Sequence, residues 1–250
     1  MPKTVSIANN CVASTAGNAL GLAPIHEEIM KAGRSTETCE SIQQIAEMAR
    51  MAYVNARNAK LEQDILATIG LNLQGFYQAN RSLAPEMVAN IAQAMQQYNY
   101  NVSILIAGVD RLGGHIYRID NPGRLESYDA IGHCAIGSGD LHSISTFIAN
   151  DYDPELDTDH VAAMTYEAKR RSEKAQGVGE ETDMYIIHNN STVKLPEDKM
   201  DMLKKIYDQK TDQEKESVAK LEEQVRALNM HAGNAEESVT NDGHLQDAVQ

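Results

Sequence analysis

The hydrophobic period switches near residue 100, and that switch constrains the fold more than any other feature. Before it, Ile42, Ile45, Met48, Ala49, Ala52, Tyr53 and Ala56 recur at steps of three and four, which makes one apolar helical stripe. Beyond it, Val102, Ile104 and Ile106 alternate with smaller residues, the period-two pattern of a half-buried strand. A chain that changes period this way in long blocks groups its helices and its strands. Alternating crossovers are excluded, and with them a doubly wound parallel sheet; helices stacked on antiparallel sheets are favoured.

The blocks can be bounded. Thr4 to Ile7 and Cys11 to Gly17 are β-favouring runs around Asn9-Asn10 and read as a hairpin, since Asn tolerates the positive φ of tight turns. Leu20 to about Lys31 reads as helix with Gly33 as its stop, and Ser35 or Thr36 as the cap of the next, longer helix. That helix breaks at Gly70 and Gly75, and another runs from about Pro85 to Tyr98. Three strands follow, turned at residues 110–114 and at Asn121-Pro122-Gly123. Two more helices cover about Leu141–Ala149 and Asp157 or Thr158 to Lys174, and a strand from Asp183 to His188 closes the compact part. Residues 191–250 differ in kind, with eight basic and thirteen acidic side chains. Val218, Leu221, Val225 and Leu228 fit a two-heptad helix, but the pattern lapses at Lys204, Thr211 and Glu214, which favours a mobile acidic tail over a stable coiled coil.

Composition narrows the function. Among 250 residues, 22 basic against 36 acidic side chains leave a formal charge of −14, the wrong sign for neutralising phosphates, so nucleic acid is not an expected partner. Cys11, Cys39 and Cys134 lack paired spacing, which fits a reducing cytoplasm rather than a disulfide framework. No run of about 18 apolar residues suggests a membrane span, and no basic-then-apolar leader opens the chain. His115, His133 and His142 with Cys134 lack zinc spacing, so neither metal nor cofactor is expected. Asp110, Asp120 and Asp129 stand at strand ends and read as turn or cap residues, Cys134 as a small buried hydrophobe, and the Lys169, Arg170, Arg171 and Lys174 cluster as a solvated helix C-terminus.

Four segments carry a resemblance: Ile104-Leu105-Ile106-Ala107-Gly108-Val109-Asp110, Gly114-His115-Ile116-Tyr117, Tyr128-Asp129-Ala130-Ile131-Gly132 and Ala135-Ile136-Gly137-Ser138-Gly139. In this order they resemble the proteasome-subunit family, whose strand ending in Ala-Gly-x-Asp precedes a hairpin and an Ala-x-Gly-Ser-Gly helix entrance. Lys3 through Gly17 is similar to the family's first hairpin here, and Ala19 to Lys31 to its first helix, so the likeness spans about residues 3 to 188. The segment from about Leu66 to Tyr98, and Tyr166 to Arg171 before Gly177-Val178-Gly179, make the divergent prokaryotic proteasome-like proteins the nearest resemblance.

The resemblance implies an α+β fold, the four-layer αββα sandwich of N-terminal-nucleophile hydrolases, over residues 1–190, with a helical insertion at about 66–98 and an acidic, partly helical or disordered tail over 191–250. It implies threonine-type peptide or amide hydrolysis in a self-assembled homo-oligomer of proteasome-like subunits. Active members attack with a terminal Thr whose own amine is the base, assisted by a Lys. The resemblance sets those groups on two strands ahead of the position matching Lys3, so the chain is expected to lack the nucleophile and its Lys; Thr4 lies too deep to replace it. Gly17 matches the glycine whose N–H forms the oxyanion hole, Thr15 and Ala19 match the lining of the first specificity pocket, and Ser138 matches an auxiliary serine. Read on residues alone, Gly17 is better explained as a strand-to-helix turn needing positive φ, and Ser138 is equally a helix cap. Ala175, Val178 and Gly179 stand where active members carry an orienting Asp and Ser. The alternative is a non-catalytic paralogue with a structural or binding role. Either way, a sheet lacking two strands would expose unpaired edges and is expected to oligomerise or aggregate.

Overall fold

The computed structural model describes residues 3–33 and 38–240, with backbone alone at 19–22, 31–33 and 229–240. It divides into two units, Met1–Pro196 and Glu197–Gln250.

In the first unit, β1 (Thr4–Ala8) and β2 (Cys11–Gly17) form the opening hairpin, followed by α1 (Ala19–Gly33) and α2 (Ile42–Leu61). α2 begins where Ser41 accepts a hydrogen bond from the Gln44 N–H, so the cap lies later than expected. Ser35 and Thr36 lie outside the described residues. A wide π turn (Glu62–Leu66) and a 3₁₀ turn (Ala67–Ile69) end this helix, with Gly70 left-handed at φ 70°. α3 (Leu73–Ala79) then starts on Asn72, whose side chain accepts from the Gly75 N–H; the helix expected to break at Gly75 instead runs through it. α4 (Pro85–Gln97) places its proline in the first turn.

β3 (Val102–Asp110), β4 (Gly113–Asp120) and β5 (Arg124–Ser127) complete an antiparallel sheet of order β1-β2-β3-β4-β5. Register sorts its two faces. Cys11, Ala13 and Thr15 of β2 lie opposite Gly108, Ile106 and Ile104 of β3, and Ile106 and Ile104 lie opposite Tyr117 and Ile119 of β4. Cys11, Ala13, Ile104, Ile106, Tyr117 and Ile119 form the main core with the stripe Ile42, Ile45, Ala46, Ala49 and Tyr53, joined by Ile25 and Ile29 of α1. The Tyr53 hydroxyl donates to the Val102 carbonyl at 3.1 Å. Val12, Ser14 and Ala16 lie opposite Ala107, Leu105 and Ser103 on the other face. A second core of Leu61, Leu66 and Phe76 holds the insertion together.

α5 (Asp140–Ala149) and α6 (Thr158–Ser172) pack as a pair. Asp157 caps α6, accepting from the His160 N–H at 2.9 Å. β6 (Tyr185–His188) is followed by β7 (Ser191–Lys194), and the two form a separate antiparallel sheet, β6 packing on β3. β7 occupies residues assigned from sequence to the tail. The architecture is thus α+β with antiparallel sheets, one sheet of five strands and one of two among the described residues.

Among its described residues the second unit is one helix, α7 (Glu197–Thr240), of 44 residues. It is continuous through Lys204, Thr211 and Glu214, where the sequence pattern lapses: Lys and Glu are good helix formers without supplying an apolar stripe, and the Thr211 hydroxyl donates to the Tyr207 carbonyl at 2.9 Å. Intrahelical pairs such as Lys220–Glu216 at 2.8 Å add to it. Among the described residues no helix is long and apolar enough to cross a membrane.

Candidate functional site

The opening hairpin and a stretch more than a hundred residues later wall one cavity of about 620 Å³. Lys3, Ser14, Thr15, Ala16 and Gly17 come from the β1–β2 hairpin, residues 134–139 from the entrance to α5, and Ser143, Phe147, Thr165, Ala168, Lys169 and Ser172 from the α5–α6 pair; Gly177 and Val178 close one end.

Gly17 ends β2 at φ 108°. A Cβ there would sit 2.0 Å from the Asn101 carbonyl oxygen, which itself accepts the Asn18 N–H at 2.8 Å. The strand-to-helix turn therefore demands glycine on backbone grounds alone. At the opposite wall, a Cβ on Gly139 would lie 2.7 Å from Cβ of Ser172, and one on Gly137 (φ 96°) 3.2 Å from Cβ of Ala16. The two glycines let this segment run between β2 and the end of α6, and Ser138 between them is left exposed on the cavity. Ser138 is not the α5 cap; that position is Gly139, which has no side chain to cap with. Arg118 steadies the same segment, donating to the Ala135 carbonyl at 3.5 Å while paired with Asp120.

Thr15 is buried, and its hydroxyl donates to the Lys3 carbonyl at 3.2 Å. Ala19 opens α1, and its side chain lies outside the described residues. The structure thus brings Thr15, Gly17 and Ser138 to one cavity. It adds Lys3, which the sequence named only as the start of the resembling hairpin and not as a site residue. Lys169 is the cavity's other cation, but its ammonium is spent on Glu173 at 2.6 Å and the Gly179 carbonyl at 2.8 Å.

The remaining candidates take structural roles. Asp110 accepts the Ile42 and Leu112 N–H groups at 3.1 and 2.8 Å, anchoring the start of α2. His115 bridges Asp110 at 3.1 Å and Asp129 at 2.8 Å. Burial disfavours the His115 cation, but hydrogen bonds and charge from Asp129 and Asp110 outweigh it and raise the imidazole above its ordinary value. Cys134 is half-buried rather than buried; desolvation pushes its thiol up to about 11, with Arg118 opposing, so it is no ready nucleophile. Arg170 and Arg171 pair with Glu173 and Glu167. Among the described residues no group of His, Cys, Asp and Glu is arranged to hold a metal ion.

The family model for proteasome subunits matches residues 65–187. Residues 65–187 therefore carry a proteasome-subunit family domain. The match spans the insertion, β3 to β5, residues 134–139 and the α5–α6 pair, and so includes the Ser138 wall of the cavity. The Thr15 and Gly17 wall lies outside the matched range. No curated protein matches the chain. That domain supports a proteasome-like protein of the N-terminal-nucleophile hydrolase type.

Proposed function

We propose that this proteasome-family subunit receives an extended peptide in the 620 Å³ cavity and works in a self-assembled cytoplasmic particle of like subunits on the family's four-layer sandwich, as a divergent prokaryotic form. The observation that carries the reading is the convergence of Thr15, Gly17 and Ser138 on one cavity from segments more than a hundred residues apart. Gly17 N–H is the donor for the oxyanion, Thr15 and Ala19 bound the subsite for the substrate side chain, and Ser138 hydrogen-bonds beside the nucleophile. A preorganised N–H of this kind is worth about 2.7–4 kcal/mol in an acyl-transfer transition state. The reaction is threonine-type: a terminal Thr hydroxyl attacks the amide carbon, the amine leaves with a proton, and water then cleaves the ester. None of Thr15, Gly17 and Ser138 is that nucleophile.

A second reading, a non-catalytic subunit that binds peptide or assembles the particle, draws on a specific observation. The cavity end formed by Gly177 and Val178 offers no carboxylate or hydroxyl, and the Thr15 hydroxyl is already engaged. Native particles incubated with N-capped peptide amides and a threonine-directed covalent inhibitor separate the two. Amide hydrolysis, with the label mapped to a threonine by mass spectrometry, supports the hydrolase. Peptide binding without turnover or label supports the second reading as a peptide binder, and neither binding nor turnover overturns the hydrolase and leaves the assembly role alone.

A further inference from the structure

The side chains of Val218, Leu221, Val225 and Leu228 follow one another along α7 at steps of three, four and three, and each is more than half exposed, from 53% to 70%. Four large apolar groups in one row on a continuous helix are costly to leave in water. With Val218 at a heptad a position, Leu221 falls at d, Val225 at a and Leu228 at d.

The residue types choose the occupant. A β-branched residue at a with leucine at d packs best in a parallel two-stranded coiled coil, because the two positions meet their partner at different angles. The flanking positions agree. In a parallel pair Ser217 at g faces Glu222 at e of the other helix, and Gln224 faces Asn229, so no like charges meet along the seam. The charged side chains instead lie off the seam, where Lys220 pairs with Glu216 and Lys215 with Asp212 of the same helix. Toward the C-terminus the register continues in sequence through Ala232, Ala235 and Val239. Toward the N-terminus Thr211 and Glu214 interrupt it, confining the seam to residues from 218 onward.

We infer that residues 218–228 of α7 are a self-association surface whose occupant is the same segment of a second copy, parallel and in register. This assembly contact belongs to the helix alone and does not rest on the cavity's proposed chemistry.

The test is disulfide trapping in the full-length protein. Leu228→Cys places a thiol at a seam position that meets its own counterpart only in a parallel in-register pair; Glu223→Cys places one on the outer face. Oxidation is expected to yield roughly ten-fold more covalent dimer from Leu228→Cys than from Glu223→Cys, because only seam positions come within disulfide reach. Equal yields overturn the proposal. So does efficient trapping of Leu228→Cys only in mixtures with Val218→Cys, which reports an antiparallel pair. Leu221→Asp in the Leu228→Cys background is expected to abolish trapping while the helical circular dichroism of the rest persists; undiminished trapping likewise overturns it.

Discussion

Asn10 is 1% exposed and commits its whole side-chain amide to backbone. Its nitrogen donates to the Cys39 carbonyl at 2.9 Å and the Val109 carbonyl at 2.7 Å, and its oxygen accepts the Cys39 N–H at 2.8 Å. Asn10→Ala strands all three groups in the core, and a loss of at least about 2 kcal/mol is expected in urea unfolding. His115 makes a pH-dependent claim. Its pKa is raised, so its contribution is complete below the unfolded value of about 6.5 and fades as pH climbs through the folded one. Burial opposes the Asp110 and Asp129 anions, yet hydrogen bonds from backbone N–H groups and His115 hold both low, so their contribution is present above about 3.9 and lost as pH falls. The stability difference between wild type and His115→Gln should therefore shrink as pH rises from neutrality into the alkaline range; a difference flat with pH would contradict the bridge. Gly17→Ala is expected to cost at least about 3 kcal/mol through backbone clash at Asn101. A thermal melt checks this, and any accompanying loss of activity says nothing about the N–H donor.

Elements written in strong periodic patterns were legible in the sequence, and those held by one contact were not. β3 to β5 could be read because Val102, Ile104 and Ile106 alternate and Asp110 and Pro122 mark the turns; α6 could be read because Asp157 precedes its stripe. α3 escaped because Gly75 reads as a breaker, whereas its N–H is the group Asn72 caps. β7 escaped because Ser191–Lys194 contributes one large apolar residue, Val193, and that is 48% exposed. The site was partly legible for the same reason: the Gly-Ser-Gly text pointed to residues 137–139, but the close approaches at Ala16 and Ser172 that explain both glycines exist only after folding. The insertion makes a prediction of its own. Phe76 is 4% exposed and packs in a core separate from that of the sheet. Phe76→Ala should cost about 3–5 kcal/mol locally. Hydrogen exchange is expected to accelerate across α3 and α4 while the β2–β3 amides stay protected; uniform acceleration would mean the two cores unfold as one.

At the scale of the whole molecule, charge and association are linked. A formal charge of −14 sets copies of this chain against one another, and that repulsion is screened over about 8 Å at physiological ionic strength. Pairing through α7 should therefore strengthen as salt rises from low to physiological levels, seen as a growing dimer fraction in sedimentation equilibrium. Attraction carried by ion pairs would show the opposite trend. The wide turn at Glu62–Leu66 has a further consequence. A regular helix advances about 100° per residue, and a π turn lodges one residue more than its α counterpart. The turn sits where the chain passes from one core to the other: Ile45, Ala49 and Tyr53 pack in the sheet's core, while Leu61 just before the turn and Leu66 at its end pack with Phe76. Deleting a single residue from 62–66 would re-clock everything downstream by about a quarter revolution and turn the insertion off its seat, though no side chain had changed.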